Sequence, residues 1–387
     1  MFIEDVLKVI YAPHKAFKQI VQNPKFIGPI FIMILFIVAS FGPFYIYASR
    51  AYVESTSPSI GQNDVWTENR TLWKSDISSV TISENSNDYI NGTLHGNKSV
   101  QFSIVNSSKI SMQIDNLGSV NCSGEGGFKS LFLRIKQTSP DTNPENVTIY
   151  LFSNSSSYFH RSLTQNFSVQ TINHWNNLTI PLNTAVWSAS NASANWENIT
   201  GLKLEFSWLS NYTITLLFDD MFYRGVFKSP LEGMSIDFLS ANIIFGVLQY
   251  SISWLLPTVL VFIMGKALGA KIVWKTVLIV VGFTLIVLFV QALINTAAYS
   301  TLPTLHYRAE SYSGLQAERE AAYNEVLAKA DLAIQITTYA QIAILIWQVV
   351  LLIFAVHSST EFTLSKSVLV AAVTYAVSYL VLRMFGF

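Results

Sequence analysis

Six of the nine tryptophans in this 387-residue chain fall between residues 66 and 208. Aromatic rings stack on the faces of sugar rings, so exposed tryptophans in a recognition domain indicate carbohydrate binding. Trp175 and Trp187 are the candidate stacking residues. The alternative is that most of the six belong to a hydrophobic core, because tryptophan has the largest apolar area of any side chain. The set consists of Trp66, Trp73, Trp175, Trp187, Trp196 and Trp208.

The residues that usually carry catalysis or bind metals are sparse. Asp219 and Asp220 could supply oxygen ligands to a structural Ca²⁺, but adjacent residues of a strand point to opposite faces, so at most one fits such a site. The six histidines are scattered, and the single cysteine, Cys122, excludes an intrachain disulfide and a cysteine-based metal cluster. No nucleophile-elbow or phosphate-loop motif is present. We therefore expect no enzyme activity, no metal and no cofactor.

Twelve N-x-S/T sequons are confined to one stretch of the chain, and we expect them to carry N-linked sugar. Glycosylation places such a stretch outside the cell. Dense sugar without disulfides is unusual in an animal extracellular domain and suits an archaeal cell surface. The sequon asparagines are Asn69, Asn91, Asn97, Asn106, Asn121, Asn146, Asn154, Asn166, Asn177, Asn191, Asn198 and Asn211.

Five apolar segments are long enough to cross about 30 Å of hydrocarbon. The chain is 51% hydrophobic and 12% charged, which is typical of a membrane protein with a large polar part. A net charge of zero gives no indication of a nucleic-acid partner. The predicted spans are 26–47, 241–264, 275–298, 333–356 and 368–385.

Basic residues near these spans predict their orientation, since lysine and arginine are enriched on the cytoplasmic side. Lys8, Lys15, Lys18 and Lys25 precede the first span, and the short loop after the second carries Lys266, Lys271 and Lys275. The N-terminus is therefore expected in the cytoplasm, with the sequon-rich stretch and the C-terminus outside. This predicts a multi-pass protein of the plasma membrane.

The segment "PHKAFKQIVQ" predicts a short amphipathic helix that begins at Pro13. Ala16, Phe17, Ile20 and Val21 share one face of this helix. With a basic opposite face, such a helix is expected to lie in the membrane interface, its apolar stripe toward lipid. The alternative is an ordinary surface helix packed on its own protein.

Short alternating strands with turn signals between them fill residues 65–228, which predicts an all-β sandwich or jelly roll. The fold class expected is thus a five-helix α-helical membrane bundle with an inserted extracellular β-sandwich. We expect the chain to divide into six segments. Residues 1–25 form the cytoplasmic amphipathic interfacial helices, 26–48 the first span, and 49–235 the extracellular glycosylated sandwich. Residues 236–298 form the second and third spans with their basic cytoplasmic loop, 299–332 an extracellular helical loop, and 333–387 the last two spans.

The order "W-ENITGLKLEF…YTITLLFDDMFY", with Trp175 and Trp187 before it, resembles the C-terminal half of galactose-binding-like jelly rolls found in carbohydrate-binding modules. The resemblance covers roughly residues 130–225. It implies a jelly-roll fold but no particular ligand, because many such domains bind proteins.

The membrane part resembles the Yip (Ypt-interacting-protein) family. The residues that carry this resemblance are "VLKVIYAPHKAFKQIVQNPKF" before the first span, including the Pro13-x-x-x-Phe17 opening, together with "GKALGAKIVWKTVLIVVGF" and "HSSTEFTLSKSVLVAAVTYAV". The first outer loop is short in that family and holds about 180 residues here, so the eukaryotic role in vesicle traffic is not carried over.

No ionisable residue lies near the centre of a predicted span, which argues against a proton pump or ion transporter. Uncharged polar residues do occur in the spans, and Gln341 and Gln348, seven residues apart, share one helix face. The expected role of such residues is hydrogen bonding between helices, and lining a polar path is the alternative. The residues concerned are Asn242, Gln249, Gln291, Asn295, Gln335, Gln341 and Gln348.

These observations predict a non-catalytic accessory or scaffold subunit of a larger membrane or cell-surface complex. Its expected partners are the lipid bilayer and other protein subunits. A surface receptor that binds an extracellular glycan is the first alternative, and a transport component is the second.

Overall fold

The structure is a computed structural model that describes residues 2–59, 64–92, 95–233 and 236–384. The chain forms two compact units. One contains residues 1–51, 229–305 and 327–387, and the other contains residues 52–228 and 306–326. The predicted domain boundary at 235/236 lies outside the described residues.

The first unit is helical. The described residues contain five helical segments long and apolar enough to cross a membrane, at Ile27–Arg50, Ser240–Ala267, Trp274–Tyr299, Gln316–Thr360 and Leu364–Met384. The predicted five-span bundle is therefore confirmed. The part of Gln316–Thr360 before residue 327 belongs to the other unit. The helices are α1 Phe2–Tyr11, α2 Pro13–Gln22, α3 Ile27–Arg50, α5 Ile236–Ala267, α6 Trp274–Thr284, α7 Ile286–Tyr299, α8 Gln316–Thr360 and α9 Leu364–Met384.

Two glycines allow α3 and α6 to approach closely. A Cβ on Gly28 would lie 2.0 Å from the ring of Phe283, and one on Gly282 would lie 2.6 Å from the ring of Pro29. Small residues at helix contacts are a common device of membrane bundles, where packing must replace the hydrophobic effect.

The apolar stripe of α2 is buried against the protein and does not face lipid. Pro13 begins the helix as predicted, but Ala16, Phe17 and Ile20 pack into a core shared with Ile279 and Phe283 of α6. Phe17 has no exposed surface at all. The expectation of a lipid-facing stripe is therefore wrong, because a cluster of buried apolar side chains in the bundle covers that face.

The second unit is a β-sandwich. Its strands are β1 Ala51–Ser57, β2 Trp73–Lys74, β3 Thr81–Asn85, β4 Ser99–Ile114, β5 Ser130–Ser139, β6 Asn146–Phe152, β7 Tyr158–Ser162, β8 Asn176–Pro181, β9 Ser188–Ala189, β10 Gly201–Lys228 and β11 Leu305–Tyr307. A short helix, α4, spans Thr164–Phe167. All the described strand pairs are antiparallel where their register is given.

The two long strands β4 and β10 pair along most of their length and belong to both layers of the sandwich. The first half of β10 pairs with β6, and its second half pairs with β5 and β1. We call the layer β2, β4, β10, β6, β7 and β9 the front sheet. The back sheet contains β3, β5, β8 and β1 with the other halves of β4 and β10.

One hydrophobic core lies between the layers. Alternate residues of each strand point into it, as the sequence pattern predicts. Leu202, Leu204 and Phe206 enter the core from the front, and Leu131 and Leu133 enter from the back. The jelly-roll expectation is thus met by a two-layer antiparallel sandwich whose outward faces carry the polar residues.

Candidate functional site

A row of polar and aromatic side chains crosses the outward face of the front sheet. Strand register aligns Lys74 with Gln113, Gln113 with Lys203, Lys203 with Tyr150, and Tyr150 with His160. Five strands therefore present one side chain each at the same level, over about 19 Å at the usual strand spacing. We call these five residues the cross-strand row.

Aromatic rings cluster at the β6–β7 end of this row. The ring centroids of Tyr150 and Tyr158 lie 5.5 Å apart, those of Tyr150 and His160 lie 6.1 Å apart, and those of Phe152 and Tyr158 lie 5.7 Å apart. All four side chains are half-buried, so each ring keeps an exposed part. The sheet thus offers a fixed aromatic surface to the solvent.

Charges are concentrated at the middle of the row. The ammonium group of Lys203 lies 2.6 Å from Glu205, 2.7 Å from Asp76 and 5.6 Å from the centre of the Tyr150 ring. Burial acts to lower the pKa of Lys203, but the hydrogen bonds with Asp76 and Glu205 outweigh it, and the pKa is raised. Lys203 therefore stays charged and donates hydrogen bonds across the neutral pH range.

Tyr150 donates its hydroxyl to Glu205 over 2.8 Å. Burial, together with this carboxylate, raises the pKa of Tyr150 to about 12. The phenol is therefore neutral under physiological conditions, and its ring and hydroxyl are held in a defined orientation.

Two hollows flank the row. One has a volume of about 340 Å³ and is lined by Lys74, Gln113, Asp115 and Phe152 around Gly201. The other, of about 260 Å³, lies beside Asp76, Ser111, Thr148 and Glu205. Gly201 allows β10 and β4 to approach closely beside the first hollow, since a Cβ there would lie 2.9 Å from the carbonyl oxygen of Ile114. Aromatic faces beside fixed donors and acceptors are the features that bind a neutral, hydroxyl-rich ligand.

The two tryptophans predicted to stack on sugar lie elsewhere. Trp187 is 8% exposed and belongs to the sandwich core, where it packs edge-on against Trp196. Its indole N–H donates to the carbonyl of Pro181. A ring in this position has almost no face to offer a sugar. Trp175 is half-buried and donates to Asp88, which also pairs with Lys136 of the back sheet.

The sequon asparagines lie at the surface of the sandwich. Eleven of the twelve are exposed and Asn198 is half-exposed, although the threonine of the Asn91 sequon, Thr93, lies outside the described residues. In four sequons the Asn side chain accepts a hydrogen bond from the backbone N–H two residues on, which is an Asx turn. These four are Asn69, Asn121, Asn154 and Asn191. Asn146 and Asn154 border the two hollows.

The back sheet carries a buried ionic cluster. The guanidinium of Arg134 pairs with Asp220 at 2.7 Å and with Glu318, near the start of α8, at 2.8 Å. Arg224 pairs with Glu54 at 3.0 Å and with Glu310. Burial acts to lower the pKa of Arg224, but these carboxylates raise it. These contacts attach the 306–326 segment to the sandwich, so they are structural.

Asp219 and Asp220 point to different partners, as adjacent strand residues are expected to do. Asp220 meets Arg134 and His95, whereas Asp219 lies with Asp64 and Glu68, with carboxylate oxygens of all three within 4.8 Å of one another. One carboxylate oxygen of Asp64 is buried without a hydrogen-bond partner. Together the three residues supply three of the roughly six to eight oxygens that Ca²⁺ takes. Water or backbone oxygens would have to complete such a site.

Burial raises the pKa of Asp64 to about 6, and burial together with the neighbouring Asp64 raises that of Asp219 to about 10. The folded protein therefore holds protons that the unfolded chain releases near pH 4. Their contribution to stability is complete below about pH 4 and is lost as the pH rises through the folded-state values.

We expect this pair to lower the free energy of unfolding by several kcal/mol between pH 4 and pH 6.5, because each carboxyl that stays protonated in the folded protein contributes about 1.4 kcal/mol per pH unit. The measurement is urea unfolding of wild type and Asp64→Asn at several pH values. The difference in the free energy of unfolding between the two proteins isolates the contribution of this pair from that of other carboxylates. Glu310, for example, has a lowered pKa, because the hydrogen bond and charge of Arg224 outweigh the effect of burial, which acts to raise it. Parallel pH profiles for the two proteins would contradict the expectation.

Helices and sandwich together define a multi-span membrane protein with a β-sandwich between its first two spans. Residues 198–384, which include the last four spans, match the family model described as "Yip1 domain". Over this range, which is just under half of the chain, the sequence is similar to the Yip family. No curated protein matches the sequence.

Solved structures that resemble part of the chain include an exo-beta-agarase and two carbohydrate-binding modules. An exo-beta-agarase matches with 11% identity over 42% of this chain and 24% of its own, at a TM-score of 0.32. The family 30 carbohydrate-binding module of a Clostridium thermocellum cellulosomal cellulase matches with 13% identity. The match covers 41% of this chain and 90% of the module, at a TM-score of 0.30. A family 11 carbohydrate-binding module from Clostridium thermocellum, in complex with a beta-1,3-1,4-mixed-linked tetrasaccharide, matches with 11% identity. The match covers 40% of this chain and 89% of the module, at a TM-score of 0.27. This chain thus spans about a quarter of the agarase.

Proposed function

We propose that this protein is a non-catalytic, membrane-anchored receptor that binds a neutral oligosaccharide on the front sheet of its sandwich. The observation that carries the proposal is the cross-strand row, in which Lys203 and Tyr150 meet beneath an exposed aromatic surface. Sugars present hydroxyls that both donate and accept, and apolar ring faces that stack on aromatic rings. The row and its two hollows supply both kinds of contact.

The oligosaccharide would lie across the strands, with one or two sugar rings over Tyr150 and Tyr158. Lys203, Glu205 and Gln113 would form hydrogen bonds with its hydroxyls. A row of about 19 Å accommodates a chain of several sugar units. Trp175 lies at the back sheet, outside this row, and the proposal gives it no contact with the sugar.

The sandwich is proposed to face the cell exterior, with the N-terminus in the cytoplasm, on the basic-residue distribution of the loops. The exposed positions of the sequon asparagines support N-glycosylation of this unit. An archaeal plasma membrane is the proposed location, on the combination of many sequons with a single cysteine.

A second candidate is the accessory subunit of a larger cell-surface complex. The cross-strand row recognises sugar whatever carries it, so a glycosylated protein partner would satisfy it as well as a polysaccharide. Gentle detergent extraction followed by a native gel and mass spectrometry distinguishes the two. A stoichiometric protein partner supports the subunit role, and a single band of the glycosylated chain supports the receptor.

The direct test of the proposed function is a glycan array probed with the purified full-length protein, first treated with a glycosidase to remove its own sugars. We expect binding to neutral oligosaccharides of at least two sugar units, and no binding after Lys203→Ala. Lys129→Ala, which changes an exposed lysine just before β5 that lies outside the row and lines neither hollow, is the matched control. Absence of binding across neutral glycans would overturn the proposal.

A further inference from the structure

A polar cavity lies inside the helical unit. It has a volume of about 140 Å³, and its walls come from α5, α6, α7, α8 and α9. Four glutamines converge on it, namely Gln249, Gln291, Gln341 and Gln348. Gln341 and Gln348 share a helix face, as the sequence predicts, but the convergence of the other two depends on helix packing.

The cavity lies within the membrane-spanning part of these helices. Gln249 follows the start of its span at Ser240 by nine residues, and Gln291 precedes the end of its span at Tyr299 by eight. At about 1.5 Å per residue, both lie roughly 12–14 Å along the helix from the same side of the bundle. Polar groups at this depth have no bulk water to bind.

The polar groups around the cavity lack partners within the protein. In the part of the chain that the structure describes, none of the four glutamine side chains forms a hydrogen bond with another residue. Ser378 is 4% exposed and its hydroxyl oxygen has no hydrogen-bond partner. The buried Ser378 hydroxyl costs about 1–3 kcal/mol if it stays unsatisfied. Gln341 is exposed and the other three glutamines are half-buried, so these amides are open to the space around the helices, where the membrane offers no bulk water to bind. The arrangement therefore favours a guest that supplies the missing hydrogen bonds.

The lining residues indicate the chemistry of that guest. No Asp, Glu, Lys, Arg or His is among the described residues that line the cavity, so an ion bound there would have no counter-charge. Amide groups both donate and accept, which suits hydroxyls. Tyr375 and Tyr379, whose rings stack at 18°, add an aromatic wall. At about 30 Å³ per water, the volume equals four to five waters, the size of a small polyol or of one sugar ring partly inserted.

We propose that this cavity binds a neutral polyhydroxyl group, through the four glutamines and Ser378. The group is either the uncharged head of a glycolipid or a free polyol. The site lies in the helical unit and does not depend on the function proposed for the sandwich.

Protection of an introduced thiol tests the proposal on the full-length protein in phosphatidylcholine nanodiscs. Ser378→Cys places a reactive group in the cavity, and N-ethylmaleimide, a small neutral reagent, reports its accessibility. The natural Cys122 gives no background, because it is buried and burial raises its pKa to about 12. Val377→Cys is the matched control, since Val377 is an exposed neighbour that does not line the cavity.

We expect monoglucosyl diacylglycerol, added to the nanodiscs, to slow the labelling of Ser378→Cys about tenfold and to leave Val377→Cys unchanged. Protection by free glycerol as well identifies a free polyol as a ligand, whereas protection by the glycolipid alone identifies the lipid head. Adding Gln348→Leu should abolish the protection, while Gln335→Leu, on the same helix but outside the cavity, should preserve it.

Four results would overturn the proposal. They are an absence of labelling at Ser378→Cys, equal protection of both cysteines, no protection by either neutral probe, and stronger protection by the anionic lipid phosphatidylglycerol. Should Gln348→Leu fail to fold, Gln291→Asn provides the same comparison with a smaller change, and it must weaken the protection.

Discussion

Replacement of Arg134 by alanine is expected to lower the free energy of unfolding of the β-sandwich unit by about 3–5 kcal/mol. The Arg134 side chain is 7% exposed and that of its partner Asp220 is 2% exposed. Without the guanidinium, buried Asp220 keeps only His95 as a side-chain partner, and Glu318 loses the ion pair that attaches the 306–326 segment to the sheet. Breaking a buried pair from one side is much more costly than breaking a surface pair.

Urea unfolding of the full-length protein, followed by tryptophan fluorescence, measures this effect. Six of the nine tryptophans lie in the sandwich, so the signal reports mainly on that unit. Lys98→Ala, which breaks the surface pair with Glu84, is the control and should leave the midpoint unchanged. A loss below about 1 kcal/mol for Arg134→Ala would contradict the account of the ionic cluster.

Replacement of Tyr150 by alanine is expected to weaken oligosaccharide binding about thirtyfold, the factor that corresponds to the loss of one central contact residue. The ring lies at the centre of the cross-strand row, between Lys203 and the aromatic cluster. Tyr150→Phe keeps the ring and removes only the hydroxyl that donates to Glu205. This variant should weaken binding several-fold less than Tyr150→Ala, because stacking is retained.

The architecture could be predicted from the sequence because it depends on local patterns. Five uninterrupted apolar segments are sufficient to identify the spans, since hydropathy along one helix reports directly on its contact with lipid. Alternation in segments such as "GLKLEFSW" similarly identifies which residues of a strand enter a core. Neither inference requires knowledge of which segments are neighbours.

The cross-strand row could not be predicted in this way. Lys74, Gln113, Tyr150, His160 and Lys203 are spread over 130 positions of the chain, and only the register of five strands aligns them. Residue type was also misleading, because Trp187 has the chemistry of a stacking residue yet fills the core. One signal was available in the sequence, since Tyr150 and Lys203 occupy outward positions of their alternating strands.

The helical unit shows the same limit. The amphipathic pattern of α2 gives the helix and its apolar face correctly, but a stripe that packs on protein and a stripe that faces lipid look identical in sequence. Burial of Phe17 against the bundle decides between them. In the same way, the seven-residue spacing places Gln341 and Gln348 together, while Gln249 and Gln291 join them only through tertiary packing.

Calorimetric titration of the deglycosylated full-length protein with the best oligosaccharide from the array shows which face of the sandwich binds the sugar. Wild type, Tyr150→Ala and Trp175→Ala are compared under one condition. The cross-strand row predicts binding that falls about thirtyfold with Tyr150→Ala and is unchanged with Trp175→Ala. Unchanged affinity in Tyr150→Ala, with a loss in Trp175→Ala, would place the sugar at the back sheet and contradict the account.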